Sequence, residues 1–231
     1  VRSHPATPYE LIVVDDGSSD GSEKELPTIP DITLIRHRQN QGSGSARRTG
    51  TTAARGRIVV WTDVDMTYPN DLIPELVEAM DGYDHIVGWR QSEEGTLKFL
   101  RTPAKWIIRK LASYLSETDI KDLNSGLRAF RRDVAMQYVH ELPKGFSCVT
   151  TLTMSFLGNG YKIAFFPIQY FPRAGSSKFH WLKEVVCLHF LHKFLFWVGN
   201  PLRQRHQIAT GTLLFVSDIF FFLSCKVYEI L

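Results

Sequence analysis

Cysteine is scarce in this 231-residue sequence, and its spacing excludes several kinds of site. Cys148, Cys187 and Cys225 lie far apart, and none belongs to a Cys-x-x-Cys pair or has metal-binding spacing. We therefore expect reduced thiols rather than a disulfide framework, as is usual for proteins that face the cytosol.

Dense charge and the common nucleotide motifs are also missing. The net charge is only +3 and the basic residues are scattered, so the composition does not indicate a nucleic-acid-binding protein. No Gly-Lys-Ser/Thr follows the glycine-rich residues 40–47, so this segment is not a P-loop. The segment also does not match the Gly-x-Gly-x-x-Gly pattern, which argues against a nicotinamide cofactor. We expect no signal peptide in this sequence, and only a short segment precedes the first predicted strand. We expect the sequence to lack an initial strand and helix.

What the sequence does contain is two short apolar runs that each end in carboxylates. Residues 11–14 and 58–61 are rich in β-branched residues and bounded by turn residues, which is typical of buried parallel strands. The acids that follow them are Asp15, Asp16, Asp63 and Asp65. Ligands of α/β sheets bind at the carboxyl ends of parallel strands, so these acids are predicted to face one binding site.

Strand and helix signals alternate from residue 9 to about residue 140. This order predicts an α/β fold with a mainly parallel, doubly wound sheet. Further strands are predicted at residues 32–35, 85–89 and 162–170, and residues 125–130 are predicted to form a turn followed by a strand-like end. Helices are predicted at residues 43–54, 71–80, 97–116 and 150–159.

The end of the sequence has a different composition. Residues 207–231 include about eighteen nearly uncharged residues, which predicts a transmembrane helix, although Asp218 also fits a buried core helix. Basic residues just before this run favour a cytoplasmic location for the preceding domain, residues 1–180. Residues 181–206 are predicted to form an interfacial helix and a hinge; an amphipathic helix packed on the domain is the alternative.

Divalent cations fit the carboxylates of the second acidic segment. Mg²⁺ and Mn²⁺ prefer carboxylate and phosphate oxygens, so Asp63 and Asp65 are predicted to hold one of these ions together with a nucleotide diphosphate. The ion would neutralise charge on a departing diphosphate. Solvated loop acids are the plainer interpretation of the segment when it is taken alone.

Several loops offer groups that bind anions. Gly17 begins a turn after the first acids, and the glycine-rich residues 40–47 would present free N–H groups at a helix start, with Arg47 adding charge. Arginine, lysine and serine on loops after later strands are further candidates for phosphate binding. They are Arg90, Arg128, Arg131, Arg173, Ser177 and Lys178.

These motifs resemble the inverting family 2 glycosyltransferases with the GT-A fold. Residues 13–22 look like the opening motif of that family and residues 63–65 like its metal motif. Residues 65–69, 125–128 and 173–179 are similar to the polyprenyl-phosphate sugar transferases, such as dolichyl-phosphate mannose synthases. Thr67 departs from the glutamine that mannosyl enzymes often have at this position.

The resemblance implies a role for each motif. Asp15, Asp16, Gly17 and Arg47 would bind the nucleotide sugar with Asp63 and Arg90. Arg128, Arg131, Arg173, Ser177 and Lys178 would bind phosphate of the acceptor or donor. Asp65, Asp122 and Arg128 are the predicted catalytic residues. Asp122 would either orient the acceptor or support the loop that carries Arg128.

The implied reaction is the transfer of a hexose from a UDP- or GDP-sugar to a polyprenyl phosphate at the cytoplasmic membrane face. The implied partners are a nucleotide sugar, a lipid phosphate, Mg²⁺ or Mn²⁺ and the membrane, with a homo-oligomer possible. The alternatives are a glycosyltransferase with a soluble or saccharide hydroxyl acceptor and an inactive, membrane-anchored nucleotide-sugar-binding module. The sequence has no Gln-x-x-Arg-Trp motif, which argues against a processive polysaccharide synthase.

Overall fold

The computed structural model describes residues 8–91 and 118–172, together with Lys110 and Ser113. The chain divides into two units, Val1–Ser176 and Ser177–Leu231, and the described residues all belong to the first.

The first acidic segment ends a strand of a small parallel sheet. Strand β1 (Ile12–Asp15) pairs in parallel with β2 (Thr33–Arg36). A short helix α1 (Ser22–Glu25) and a 3₁₀ turn (Leu26–Thr28) connect them. The β-branched residues of β1 suit a half-buried extended chain.

A second, four-stranded sheet carries the other acidic segment. Its strands are β3 (Ile58–Trp61), β4 (His85–Arg90), β5 (Arg128–Arg131) and β6 (Ile163–Ile168), in the order β3-β5-β4-β6. Strand β5 runs antiparallel to both of its neighbours, whereas β4 and β6 are parallel.

The prediction of a mainly parallel sheet therefore needs correction, because the sheet is mixed. The reason lies in the connection between β4 and β5. The side chains of Arg90, at the end of β4, and Asp122, shortly before β5, form an ion pair. The chain thus leaves and re-enters the sheet at the same edge, and a strand that starts there must run antiparallel.

The helices cover both faces of the larger sheet. They are α2 (Ser43–Ala53), α3 (Ile73–Glu78), α4 (Arg132–Tyr138) and α5 (Cys148–Gly158), with 3₁₀ turns at Asn70–Leu72 and Val139–Glu141. Alternate residues of β5 point to opposite faces: Phe130 packs with Trp61 and Leu152 on one side, and Ala129 packs with Leu76 on the other. The sheet is thus the middle layer between two apolar clusters.

Helix α2 consists mainly of small residues, and close packing explains them. A Cβ atom on Gly44 would lie 2.0 Å from the carbonyl oxygen of Pro143, and one on Gly50 would lie 3.4 Å from Val14 Cγ2. Glycine and serine are poor helix formers, so α2 depends on this packing more than on intrinsic propensity.

Most predicted elements are confirmed within the described residues. The helix predicted at 71–80 is shorter, and α4 was not predicted. The helix predicted at 97–116, the interfacial helix at 181–206 and the transmembrane helix at 207–231 lie outside the described residues, apart from Lys110 and Ser113. Among the residues that the structure describes, no helix is both long and apolar enough to cross a membrane.

Candidate active site

Asp63 follows β3 and is fixed by an arginine from α2. Arg47 Nη2 donates to Asp63 Oδ1 at 2.6 Å, and the guanidinium lies 5.5 Å from the centre of the Trp61 ring. Burial lowers the pKa of Arg47, but the nearby Cys148 thiol and Asp63 carboxylate outweigh burial and raise it. Arg47 is therefore a permanent cation beside a carboxylate that remains about one-third exposed.

Asp65 lies on the tight turn that follows. Its Oδ1 accepts hydrogen bonds from the Thr67 amide at 3.2 Å and the Thr67 hydroxyl at 2.6 Å. Met66, between them, has a φ of 60°, which a residue with a side chain seldom adopts. Val64 and Met66 are strongly exposed, so the turn projects from the sheet edge and its carboxylates remain at the surface.

Tyr68 joins this turn to the segment before β5. The amide of Gly126 donates to Tyr68 Oη at 2.7 Å, and both residues are buried. A Cβ atom on Gly126 would lie 2.6 Å from Asp63 Oδ2 and 3.2 Å from Arg47 Nη2. The absence of a side chain at Gly126 thus allows the two loops to meet at the Asp63 carboxylate.

Arg90 and Asp122 form a second, buried ion pair at the same sheet edge. Arg90 Nε donates to Asp122 Oδ2 at 2.7 Å and Nη2 donates to Oδ1 at 3.0 Å. Burial raises the pKa of the Asp122 carboxyl, but the hydrogen bonds and charge of Arg90 outweigh burial and lower it. A carboxylate held in this way is a weak base, and it supports the loop before β5.

The first acidic segment lies at the start of α2. Asp16 Oδ2 accepts from the Gly42 amide at 2.7 Å, and its Oδ1 accepts from the Gln41 amide and contacts His37 Nδ1 at 2.6 Å. Because Arg47 is less than two turns further along α2, Asp16 and Asp63 lie at the same end of that helix. The structure thus brings both acidic strand ends to one region.

Asp15 and Gly17 shape the turn after β1. Asp15 is buried, accepts from the Ser18 amide at 2.8 Å and pairs with Arg36. The hydrogen bonds from Ser18 lower the pKa of Asp15. Gly17 has a φ of 74°, and a Cβ atom there would lie 2.8 Å from the backbone of Gln39, so only glycine fits this turn.

The glycine-rich segment does not offer the free N–H groups that were predicted. The amides of Gln41 and Gly42 donate to Asp16, and those of Gly44 and Ser45 donate to the carbonyl oxygen of Lys144. These four donors are already used, so the anion site expected at this helix start is corrected to a structural junction.

Arg128 does not lie where the sequence suggested. It is fully buried, and its guanidinium donates to the carbonyl oxygens of Ser125 and Val149 and to the hydroxyl of Thr153. Burial and the charge of Arg47 lower the pKa of Arg128 to about 10, so it stays cationic. The prediction that Arg128 binds phosphate is corrected, because its donors hold β5 and α5 together.

Arg131 lies at the opposite edge of the sheet. Residue 131 pairs with Ile58, at the start of β3, whereas residue 128 pairs with Trp61, at its end. The Arg131 side chain is half-exposed and forms ion pairs with Asp84 and Asp133. Three residues of extended chain, about 10 Å, separate it from the acidic edge, so the structure does not place it with Asp63.

Arg173, Ser177 and Lys178 lie outside the described residues. Among residues 8–91 and 118–172, no three carboxylate, imidazole or thiol side chains group closely enough to hold a metal ion by themselves. Mg²⁺ is usually held by one or two carboxylates together with phosphate oxygens and water. Asp63 and Asp65, two surface carboxylates on one loop, fit a cation that is bound together with a diphosphate.

Comparison of the sequence with models of known protein families identifies the family of this chain. Residues 1–139 match the model of "Glycosyl transferase family 2", which is more than half of the chain. The chain belongs to glycosyl transferase family 2. The match includes β1 to β5 and the Asp63, Tyr68 and Arg90 positions, so the site described above lies inside the family domain.

Named relatives within the family share one kind of acceptor in their names. The chain is 31% identical over 163 residues to a dolichyl-phosphate hexose transferase of Haloferax volcanii, covering 69% of the chain and 71% of the relative. It is 39% identical over 142 residues to the undecaprenyl-phosphate 4-deoxy-4-formamido-L-arabinose transferase of Proteus mirabilis. That match covers 58% of the chain, and the chain spans only 43% of the relative's length.

Solved structures of similar fold support the GT-A-like architecture. Glucosyl-3-phosphoglycerate synthase of Mycobacterium tuberculosis, crystallised with Mn²⁺, UDP and glucosyl-3-phosphoglycerate, matches with a TM-score of 0.61 at 21% identity. The match covers 83% of the chain and 70% of that structure. At this identity the likeness establishes the fold and nothing about substrates.

Two residues of the site were missed by the sequence reasoning. Tyr68 follows the acidic loop directly, but nothing in its sequence neighbourhood shows that its hydroxyl reaches Gly126. Gly126 was noted only as part of a motif. Its importance depends on the three side chains around it, which come from distant parts of the chain.

Proposed function

We propose that this chain carries the catalytic domain of an inverting, metal-dependent hexosyltransferase that acts on a polyprenyl phosphate. The donor is a UDP- or GDP-hexose, and the reaction takes place at the cytoplasmic face of a membrane. Support comes from the family match, from relatives named for dolichyl and undecaprenyl phosphate, and from the pair of surface carboxylates at Asp63 and Asp65.

The buried ion pair of the Asp122 carboxylate with Arg90 is the observation that favours a phosphate acceptor over a hydroxyl acceptor. A hydroxyl nucleophile needs a general base, ideally with a pKa near the working pH. Asp122 is buried against Arg90 and its pKa is lowered, so it is a poor candidate for that base. A phosphate monoester is already an anion near neutral pH and needs no such base.

The site residues would promote the reaction by positioning the substrates and by stabilising charge. An oxygen of the acceptor phosphate attacks the anomeric carbon of the sugar, the bond from that carbon to the diphosphate oxygen breaks, and the nucleoside diphosphate leaves with the electron pair. Asp63 and Asp65 would hold a divalent cation, which when bound supplies charge neutralisation for the leaving diphosphate. Arg47 keeps Asp63 in place, and Arg90 adds positive charge.

Arg173, Ser177 and Lys178 remain candidates for phosphate binding within this proposal. Asp16 and Asp15 remain candidates for contact with the nucleotide, although their carboxylates already accept backbone hydrogen bonds. Their contribution would then be to hold the turn that the nucleotide contacts.

A donor panel tests the proposed function. Membranes that contain the full chain are incubated with a polyprenyl phosphate and radiolabelled UDP- and GDP-hexoses, and lipid-linked product is extracted. We expect labelled lipid from one class of donor, and its loss when the divalent metal is chelated. Labelled product with a soluble hydroxyl acceptor, and none with the lipid phosphate, would contradict the assignment.

A further inference from the structure

The hydroxyl group of Tyr68 accepts a hydrogen bond, and it donates none to the part of the chain that the structure describes. Only 6% of Tyr68 is exposed, and its Oη accepts the Gly126 amide at 2.7 Å. A phenol hydroxyl can accept and donate at the same time. Within residues 8–91 and 118–172 the Gly126 amide is the hydrogen-bond partner of Tyr68 Oη, and no described residue accepts the Oη–H proton.

The surroundings of Tyr68 define which ligand atom that proton would meet. A Cβ atom on Gly126 would lie 3.1 Å from Tyr68 Cε2 and 2.6 Å from Asp63 Oδ2. The hydroxyl-bearing side of the ring is therefore close to the carboxylate that would hold the metal. The ring also packs edge-on against Tyr170, with ring centres 5.3 Å apart, and Arg90 lies 5.3 Å from the Tyr170 ring.

The phenol remains a donor at neutral pH. Burial raises the pKa of Tyr68, and the opposing effect of the Arg90 charge is smaller. A neutral donor near the charges of Arg90 and Asp63 is suited to an anionic oxygen, because hydrogen bonds to ionised acceptors are roughly twice as strong as neutral ones.

We propose that Tyr68 is a substrate-binding residue whose Oη–H donates to a phosphoryl oxygen held beside Asp63. This inference rests on the proposed function. The phosphoryl oxygen belongs either to the diphosphate of the sugar nucleotide or to the phosphate of the lipid acceptor. The Gly126 amide fixes the position of Oη and leaves its proton for the ligand, so Gly126 is a positioning residue.

The test is Tyr68→Phe, which removes one oxygen atom and keeps the ring. Tyr138→Phe is a matched control, because Tyr138 is also buried and packs against Phe156. The readouts are kcat and KM for each substrate, the Kd of UDP and GDP with Mn²⁺ by calorimetry, and stability by urea denaturation.

We expect Tyr68→Phe to weaken binding of one substrate by about 10- to 100-fold, as for the loss of one charge-assisted hydrogen bond. A rise in the nucleoside diphosphate Kd and the donor KM identifies the donor diphosphate. A rise in the KM for polyprenyl phosphate alone identifies the acceptor. Tyr138→Phe should leave all three constants unchanged.

A purely structural role gives a different result. In that case Tyr68→Phe lowers stability, but KM, Kd and kcat per folded molecule equal those of the wild type, and the inference is overturned. If the variant does not fold, 3-fluorotyrosine at position 68 replaces it, since the fluorine makes the phenol a stronger donor and a weaker acceptor. Tighter substrate binding supports the inference, and unchanged or weaker binding contradicts it.

The same measurements distinguish a failure of the proposed function from a failure of the inference about Tyr68. A wild-type protein that binds neither UDP nor GDP and makes no lipid-linked product refutes both the function and the inference. Wild-type transfer with identical constants in Tyr68→Phe refutes the inference alone.

Discussion

Arg128 illustrates how burial changes the meaning of a charged residue. Its guanidinium is surrounded by carbonyl and hydroxyl oxygens of the segment before β5 and of α5. Replacing it with methionine would leave buried acceptors without donors. We expect Arg128→Met to lower the free energy of unfolding by about 2 kcal/mol or more, as measured by the urea midpoint.

The control for this prediction is Arg131→Gln at the exposed end of the same strand. Its ion pairs with Asp84 and Asp133 are solvated, so the urea midpoint should change much less. Equal losses for the two variants would show that the hydrogen bonds of Arg128 do not hold β5 and α5 together.

The burial of His85 leads us to expect that the stability of the fold depends on pH. It is completely buried between Phe130 and Phe156, and neither ring nitrogen has a hydrogen-bond partner in the described part of the chain. Burial, and then the charge of Arg128, lowers its pKa well below the usual value. Because the unfolded chain binds a proton more readily, stability is greatest above about pH 6.5 and falls as the pH is lowered.

The variant His85→Leu isolates this contribution. As the pH falls below about 6.5 we expect it to lose less unfolding free energy than the wild type, by up to about 1.4 kcal/mol for each pH unit over which His85 stays neutral in the folded protein. Urea denaturation at several pH values measures the difference. Parallel pH profiles would contradict this account, because they would mean that the pKa of His85 is the same in the folded and unfolded chain.

Residue types and their order were enough to predict that carboxylates follow the strands, but not the surroundings of each side chain. Asp63 and Asp65 do lie at a strand end and remain at the surface. The environment of Arg128 could not be predicted, because two of its acceptors, the Val149 carbonyl and the Thr153 hydroxyl, come from α5, more than twenty residues away. A basic residue next to glycine and serine has the same sequence pattern whether it binds phosphate or backbone.

At the level of elements, the start of α2 depends on the segment 143–145. The Lys144 carbonyl accepts from Gly44 and Ser45, and a Cβ atom on Gly44 would lie 2.0 Å from the Pro143 carbonyl oxygen. Gly44→Ala must therefore displace the backbone at this junction. We expect a loss of about 1–3 kcal/mol in unfolding free energy, measured by thermal or urea denaturation.

Gly145→Ala is the matched control, because a Cβ atom there would meet nothing within 4 Å. It should change stability far less than Gly44→Ala. Since Arg47 lies on α2, Gly44→Ala should also weaken metal-dependent nucleotide binding, and an unchanged affinity would mean that the position of Asp63 does not depend on this junction.

The strands were predicted well because their residues are β-branched and bounded by turns, whereas the direction of β5 was not. The β5 sequence contains two arginines and one buried phenylalanine, which carry no sign of strand direction. Its antiparallel pairing with β4 brings Asp122 to Arg90, a contact between residues 32 positions apart. Sheet topology of this kind depends on tertiary contacts.

For the molecule as a whole, the family was recognisable because several motifs occur in one order along the chain. The family domain and the named relatives agree with that interpretation. The chain spans less than half the length of its Proteus mirabilis relative, so the sugar, the lipid and the membrane contacts belong to the proposal.

The most direct test concerns the carboxylate pair at the sheet edge. Calorimetry of UDP and GDP binding is carried out with and without Mn²⁺ on the wild-type chain and on Asp65→Asn, which is nearly the same size but uncharged. We predict Mn²⁺-dependent binding of one nucleotide by the wild type, and at least about tenfold weaker binding by the variant. Equal affinity in the two proteins, or affinity that does not depend on the metal, would contradict the account.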